Sequence, residues 1–188
     1  MYKTTYQFES DRLGFRLWNA EDSMLFSRMN ADNNVMQYFP NVLSKEESDK
    51  FIEKIMNHFE EHGYGLWAVE LKVTNKFIGF IGFYTATFEA DFTPCIEIGW
   101  RLDDRFWNKG YATEGAIKCL EYGFKVLGLN KIYSFTSQLN KPSINVMKKI
   151  GLKEQGSFFH PSIEADNPLR LHVLYEIDKK AYDKISSK

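Results

Sequence analysis

Arg105-Phe106-Trp107-Asn108-Lys109-Gly110-Tyr111-Ala112-Thr113-Glu114-Gly115 joins a strand pattern to a helix pattern in the middle of this chain. Before it, Ile96, Ile98, Trp100 and Leu102 alternate with Cys95, Glu97, Gly99 and Arg101, the period of a β-strand. After it, Ile117, Leu120, Phe124 and Leu127 recur along one face of a helix predicted from about Thr113. Strand, glycine-containing loop and helix start, in that order, build an anion site. The first N–H groups of a helix lack partners within it, and its dipole favours negative charge there. Gly110 lets the backbone come close to a ligand, and Ala112 adds little bulk.

The flanking chain supplies further elements. Leu13 to Trp18 reads as a strand and Asp22 to Met29 as a helix, while Asn30 to Pro40 carries no clear period. Ser44-Lys45-Glu46-Glu47 is a capping box opening a helix with a Phe51, Ile52, Ile55, Met56, Phe59 stripe, and His62-Gly63 closes it. Leu66 to Leu71 and Phe77 to Tyr84 form a hairpin across Thr74-Asn75-Lys76. Leu127-Gly128 ends the helix after the loop, and Lys131 to Ser137 is the next strand. Asn140 starts a short helix with Pro142 in its first turn, ending at Ile150-Gly151, and Leu171 to Ile177 is a last strand. Hairpins followed by a strand–helix–strand crossover predict an α+β fold.

Composition excludes several classes. The chain has 188 residues, which suits one domain spanning 1–188. Hydrophobic residues make up 44% and charged residues 26%, the balance of a globular protein. A formal net charge of -1 leaves no basic excess for nucleic acid. No apolar run approaches membrane-spanning length, and the start Met1-Tyr2-Lys3-Thr4-Thr5 leads into polar residues, so a cytoplasmic protein is expected. Cys95 and Cys119, one on a strand and one on a helix pattern, read as buried thiols. No His/Cys/Asp/Glu cluster has metal-ligand spacing.

Three stretches carry a family resemblance: Ile98-Gly99-Trp100-Arg101-Leu102, then Trp107-Asn108-Lys109-Gly110-Tyr111-Ala112-Thr113-Glu114, then Asn140-Lys141-Pro142-Ser143 followed by Met147-Lys148-Lys149-Ile150-Gly151-Leu152. With these the chain resembles the GNAT acyltransferases over nearly its whole length, most closely the RimJ/RimL (ribosomal-protein N-terminal acetyltransferase) branch. The family's phosphate loop reads Gln/Arg-x-x-Gly-x-Gly/Ala, and Trp107 stands at its first position here. The resemblance implies a mixed, mostly antiparallel sheet flanked by helices and splayed at a cofactor slot. It implies acetyl-CoA as donor, with CoA as product, and an amine as acceptor: a peptide N-terminus or a small molecule. Backbone groups from Asn108 through Ala112, with Lys109 as a point charge and the helix start at Thr113, would hold the pyrophosphate. Trp100, Arg101 and Leu102 would meet the pantetheine amides. Asn140 would cap its helix and bond the pantetheine arm, with Ser143 close to the departing thiol.

Acyl transfer needs a neutral amine. A lysine-like amine of pKa about 10.4 is neutral about once in two thousand molecules at pH 7, an α-amino group of pKa about 7.7–8.0 in roughly a tenth. Glu97, the one carboxylate inside the central strand, is the candidate base; the alternative is a structural pair with Arg101. Relatives place a tyrosine after the Asn segment, where this chain has Val146, Met147 and Lys148, so Ser143 is the nearest hydroxyl to serve the thiol, or else an ordinary helix-capping partner. Tyr38, Phe83, His160 and His172 are candidates for the acceptor pocket, the histidines alternatively structural. The acidic Glu89-Ala90-Asp91 loop is either an attractor for a cationic amine or simply solvated. No feature marks a dimer surface, so monomer and homodimer both fit. The rival readings are a non-catalytic, regulatory CoA-binding module of the same fold, and a nucleotide-binding protein that would lack the Gly-Lys-Ser/Thr ending of a P-loop.

Overall fold

Residues 5–186 are described by the computed structural model; of the polar start, Met1–Thr4 lies outside them. The capping box forms as its spacing predicts. Ser44 Oγ accepts from the Glu47 N–H, and the Glu47 carboxylate accepts from the Ser44 N–H at 2.7 Å. Helix α3 (Lys45–His62) follows and ends at Gly63, whose φ of 73° needs no Cβ. It covers α1 (Asp22–Asn30) and the four-residue α2 (Asn33–Met36), which settles in the stretch that has no period.

The strands are β1 (Phe8–Glu9), β2 (Leu13–Arg16), β3 (Leu66–Leu71), β4 (Lys76–Ala86), β5 (Cys95–Leu102), β6 (Lys131–Ser137), β7 (Lys153–Phe159) and β8 (Leu171–Asp178). They form one sheet in the order β1-β2-β3-β4-β5-β6-β8-β7. Every pairing is antiparallel except β5 with β6. Helix α4 (Tyr111–Lys125) makes that one crossover, α5 (Lys141–Lys149) follows β6, and α6 (Lys179–Ser186) ends the described chain.

The sheet is covered on both faces. One face packs Leu13, Phe15, Trp67, Ile81, Phe83 and Ile98 against Ala116, Cys119, Leu120 and Phe124 of α4. The other packs Leu66, Ala68 and Phe80 against Phe26, Met29, Ile52 and Ile55 of α1 and α3. Ile117 is therefore not on the buried stripe of α4 and is 50% exposed. Its place is taken by small residues: a Cβ on Gly123 would lie 2.7 Å from the Phe83 ring, so glycine sets how closely α4 approaches the sheet. Both cysteines are free and buried, and burial raises both thiol pKa values, Cys95 to about 12.

A buried ion cluster fixes α1 to the sheet. Arg16 reaches Asp22 at 2.6 and 2.7 Å and Glu70 at 2.6 Å, and all three are at least 95% buried. Replacing Arg16 by Met would leave two uncompensated buried carboxylates, so it should cost about 3–5 kcal/mol. Removing the Ser44 cap by Ser44→Ala should cost only about 1 kcal/mol. Urea denaturation of the two variants checks the order and the size of these losses.

Candidate active site

Strand β5 pairs with β4 all along its length, from Gly79 opposite Leu102 to Ala86 opposite Cys95. Its pairing with β6 is different: only Glu97 stands opposite Tyr133. Ser134 Oγ donates to the Ile98 carbonyl at 2.9 Å, and past that bridge the strands diverge. The β6-facing backbone edge from Gly99 onward thus has no partner strand. A cavity of about 840 Å³ opens there, lined by Ile98–Leu102, by Trp107, Asn108 and Gly110–Thr113, and by Asn140 and Ser143. The Leu102 carbonyl is already taken, because the Trp107 indole N–H donates to it at 2.7 Å. Trp107 therefore ties the loop to the end of the strand while lining the cavity.

The loop is shaped for an anion. Asn108 and Gly110 both have positive φ, 58° and 81°. Gly110 is the N-cap of α4, so the helix begins at Tyr111, two residues before Thr113, and no side chain caps it. Glu114 N–H bonds to the Gly110 carbonyl, but the N–H groups of Tyr111, Ala112 and Thr113 precede the first helical bond, and all three residues line the cavity. Arg12 holds this geometry from about a hundred positions away in sequence. Its Nε lies 2.6 Å from Glu114, its Nη1 donates to the Lys109 carbonyl at 3.0 Å, and its guanidinium sits 4.4 Å from the Tyr111 ring centroid. Sequence reasoning passes over Arg12, since no local pattern links it to the loop. Lys109 is not among the lining residues; its ammonium folds back to the Arg105 carbonyl at 2.8 Å.

On the α1–α3 face, Glu97, Gly99 and Arg101 line the same cavity. A Cβ on Gly99 would meet only Glu97 Oε1, at 3.8 Å, so the floor between the two charged residues is open. Burial raises the Glu97 carboxyl from about 4.5 to about 8. Glu97 is half-buried and lines the cavity, yet protein surrounds its carboxyl densely enough to disfavour charge. Among the described residues no ion pair joins Glu97 to Arg101; the Arg101 Nη1 instead donates to Asn30 Oδ1 at 2.7 Å. His172 and His160 also line the cavity, with ring centroids 5.0 Å apart. The Arg170 carbonyl lies 3.1 Å from His172 Nδ1 and can only accept, so the proton is on Nδ1. Burial lowers the His172 pKa to about 4, and His160 is lowered for the same reason.

The Acetyltransferase (GNAT) domain family matches residues 12–153. This chain belongs to the GNAT family. The Bacillus subtilis protein named as the uncharacterized N-acetyltransferase YnaD is 36% identical over 148 residues, 78% of this chain and 82% of the relative. The structure of a GNAT-family acetyltransferase from Bacillus anthracis is 31% identical, with a TM-score of 0.76, covering 92% of this chain and 98% of the other. A spermidine N-acetyltransferase from Vibrio cholerae, crystallised with CoA and spermine, shares the fold at 18% identity, with a TM-score of 0.70 over 91% of this chain and 98% of its own. The enzyme class is N-acetyltransferase, and the splayed mixed sheet is the GNAT fold.

Most residues expected at the GNAT site do meet at the cavity: Glu97, Trp100, Arg101, Leu102, Trp107, Asn108, Gly110, Tyr111, Ala112, Thr113, Asn140, Ser143, Tyr38, His160 and His172. Phe83 does not. It is fully buried on the α4 face, edge-on to Trp67 at 6.0 Å, because its position alternates away from Tyr84 and Glu97. Asn140 caps α5 through the Ser143 N–H at 3.2 Å, while its amide donates to Thr136 at 3.0 Å. Ser143 Oγ accepts from the Trp100 indole at 3.3 Å, which leaves its own proton to donate. Glu89 and Asp91 are exposed and outside the lining. Among the described residues, no group of three or more His, Cys, Asp or Glu is placed to hold a metal, and no helix is long and apolar enough to cross a membrane.

Glu97 gives a pH signature with a definite sign. The folded chain keeps this proton to about pH 8, whereas the unfolded chain releases it near 4.5. Its contribution to stability is thus fullest below 4.5 and is lost as pH rises through that window. A carboxyl ¹³C resonance titrating near 8 and absent in Glu97→Gln checks the assignment. Relative to that variant, the native protein should lose stability to urea between pH 4.5 and 8.

Proposed function

We propose that this GNAT enzyme transfers acetyl from acetyl-CoA directly to an amine within a ternary complex, with Glu97 as general base. The observation that carries the reading is that Glu97, the carboxylate of β5, lines the cavity at the point where β5 and β6 part, and burial there raises its pKa to about 8. At neutral pH a base of pKa about 8 is far better matched to an amine proton than the His172 imidazole of about 4. An α-amino group of pKa about 7.7–8.0 gives up its proton to such a base more readily than a lysine-like amine near 10.4. We take an α-amine as the acceptor, in keeping with the RimJ/RimL-like motifs from Ile98 to Leu102 and Trp107 to Glu114.

The residues present fit the donor. Three uncapped N–H groups at the start of α4 and the positive-φ turn at Asn108–Gly110 suit a pyrophosphate. The unpaired edge of β5 from Gly99 suits the amides of pantetheine. Acetyl-CoA supplies an activated thioester: the amine nitrogen bonds to the acetyl carbon, the carbon–sulfur bond breaks, and CoA leaves as its thiol. Glu97 takes the proton the amine gives up. A backbone N–H of the free β5 edge polarises the acetyl carbonyl. Ser143, held by Trp100 with its proton free, hydrogen-bonds the departing sulfur, and the proton passed from the amine to Glu97 balances the one the thiol gains. Fixing both reactants in one cleft supplies much of the rate.

Replacing Glu97 by Gln should lower kcat by about 10²–10⁴ while the Kd for CoA stays within a factor of two. Label transfer from radioactive acetyl-CoA to a peptide and amine panel, with CoA binding by calorimetry, measures both. An unchanged kcat would remove Glu97 as the base, and CoA binding without label on any amine would favour a regulatory CoA-binding module.

A further inference from the structure

Among the described residues two arginines are buried, and they are treated in opposite ways. Arg16 is 5% exposed and is neutralised by Asp22 and Glu70. Arg101 is 9% exposed, yet among the described residues no carboxylate pairs with it. Its Nη1 donates to Asn30 Oδ1, and Asn30 is in turn held by Ser48 at 3.1 Å. Its Nε is buried without a partner. The remaining surroundings are ring faces: the guanidinium carbon lies 4.2 Å from the Phe39 centroid and 5.5 Å from those of Phe51 and Phe80. Aromatic faces attract a cation but accept no strong hydrogen bond. Burial lowers the Arg101 pKa only to about 10, so the group remains a cation at neutral pH. A buried cation with unused donors is costly unless something supplies the opposite charge.

Arg101 borders the cavity on the Glu97 side, two residues beyond the open floor at Gly99. It alternates away from Trp100, which meets Ser143 on the other side of the cleft, so the pyrophosphate loop does not explain it. From this geometry we infer that Arg101 receives a carboxylate on the acceptor, making the substrate a compact amine that carries its own carboxylate, of the amino-acid or dipeptide kind. A single guanidinium matches one negative charge, and with Nη1 taken by Asn30 and Nε buried, Nη2 is the donor left to meet it. At about 3.3 Å per residue the Cα atoms of 97 and 101 are roughly 13 Å apart on one face, which, less a hydrogen bond of about 3 Å at each end, leaves about 7 Å for an acceptor of dipeptide size or smaller. The same cation opposes a polycationic acceptor. This inference rests on the acceptor reading above and narrows it.

The test compares a dipeptide bearing a free carboxylate with its C-terminal amide, and a free amino acid with its amide, as acetyl acceptors. The native enzyme should favour each acid by at least a hundredfold in kcat/KM. Arg101→Gln should reduce that preference to within about threefold, mainly through KM for the acid, and the acid-to-amide ratio is read within each protein so that any general loss of activity in the variant cancels. Equal kcat/KM for acid and amide in the native enzyme would overturn the inference without any variant being needed. So would a preference that survives Arg101→Gln. Thermal shift in the presence of CoA gives a readout independent of turnover. The acids should raise the Tm of the native protein and the amides should not, even if no acetyl is transferred; no difference between them would overturn the carboxylate site while leaving the acetyl-transfer reading to its own test.

Discussion

The loss of pairing between β5 and β6 after Glu97 opposite Tyr133 is the constraint on which the rest of this structure depends. A parallel pair that stayed closed would satisfy its own backbone and leave no cleft. Because the strands part, the β5 edge keeps free donors and acceptors inside the protein, a state that is stable only where a ligand or water answers them. The parting also lets one short strand serve two faces. Trp100 meets Ser143 on α5, while Glu97 and Arg101 look toward α1–α3. Donor and acceptor can therefore approach the same point from opposite sides.

Around that opening the structure spends other interactions on rigidity. Trp107 takes the Leu102 carbonyl, and Arg12 clamps Glu114, the Lys109 carbonyl and the Tyr111 ring together. These contacts hold the first turn of α4 so that its unclaimed N–H groups face the cavity. Away from the cleft, the buried Arg16 is paired with two carboxylates. Beside it, Glu97 and Arg101 are each left without a counter-charge among the described residues, two groups whose burial is unfavourable in isolation. Two titratable groups without an ion-pair partner along one strand face, a carboxyl whose proton burial retains and a guanidinium, distinguish the site from the core.

Much of this was legible in the chain because the cues are local. The capping box at Ser44, the left-handed Gly63, the hairpin through Asn75 and the Asn140–Pro142 helix start each act within a few residues, and all form. The loop from Arg105 to Gly115 was legible for the same reason. What escaped depends on distance or on edges. Strand β7 is polar and exposed and is held by pairing with β8, so it shows no alternation. Arg12 acts across the fold. Ile117 followed the helical period but lost its place to the glycines that let α4 approach the sheet. Phe83 lay in a suggestive segment, yet strand alternation sends it into the core. Glu97 was identifiable as the lone strand carboxylate, but its separation from Arg101 was not, because that turns on Asn30 from a different element.

Backbone amide exchange with and without CoA reads the opened strand edge itself. CoA should slow exchange at two separate places, the β5 edge from Gly99 to Leu102 and the first turn of α4 from Tyr111 to Thr113. Protection confined to other segments, or none at either place at saturating CoA, would contradict this placement of CoA.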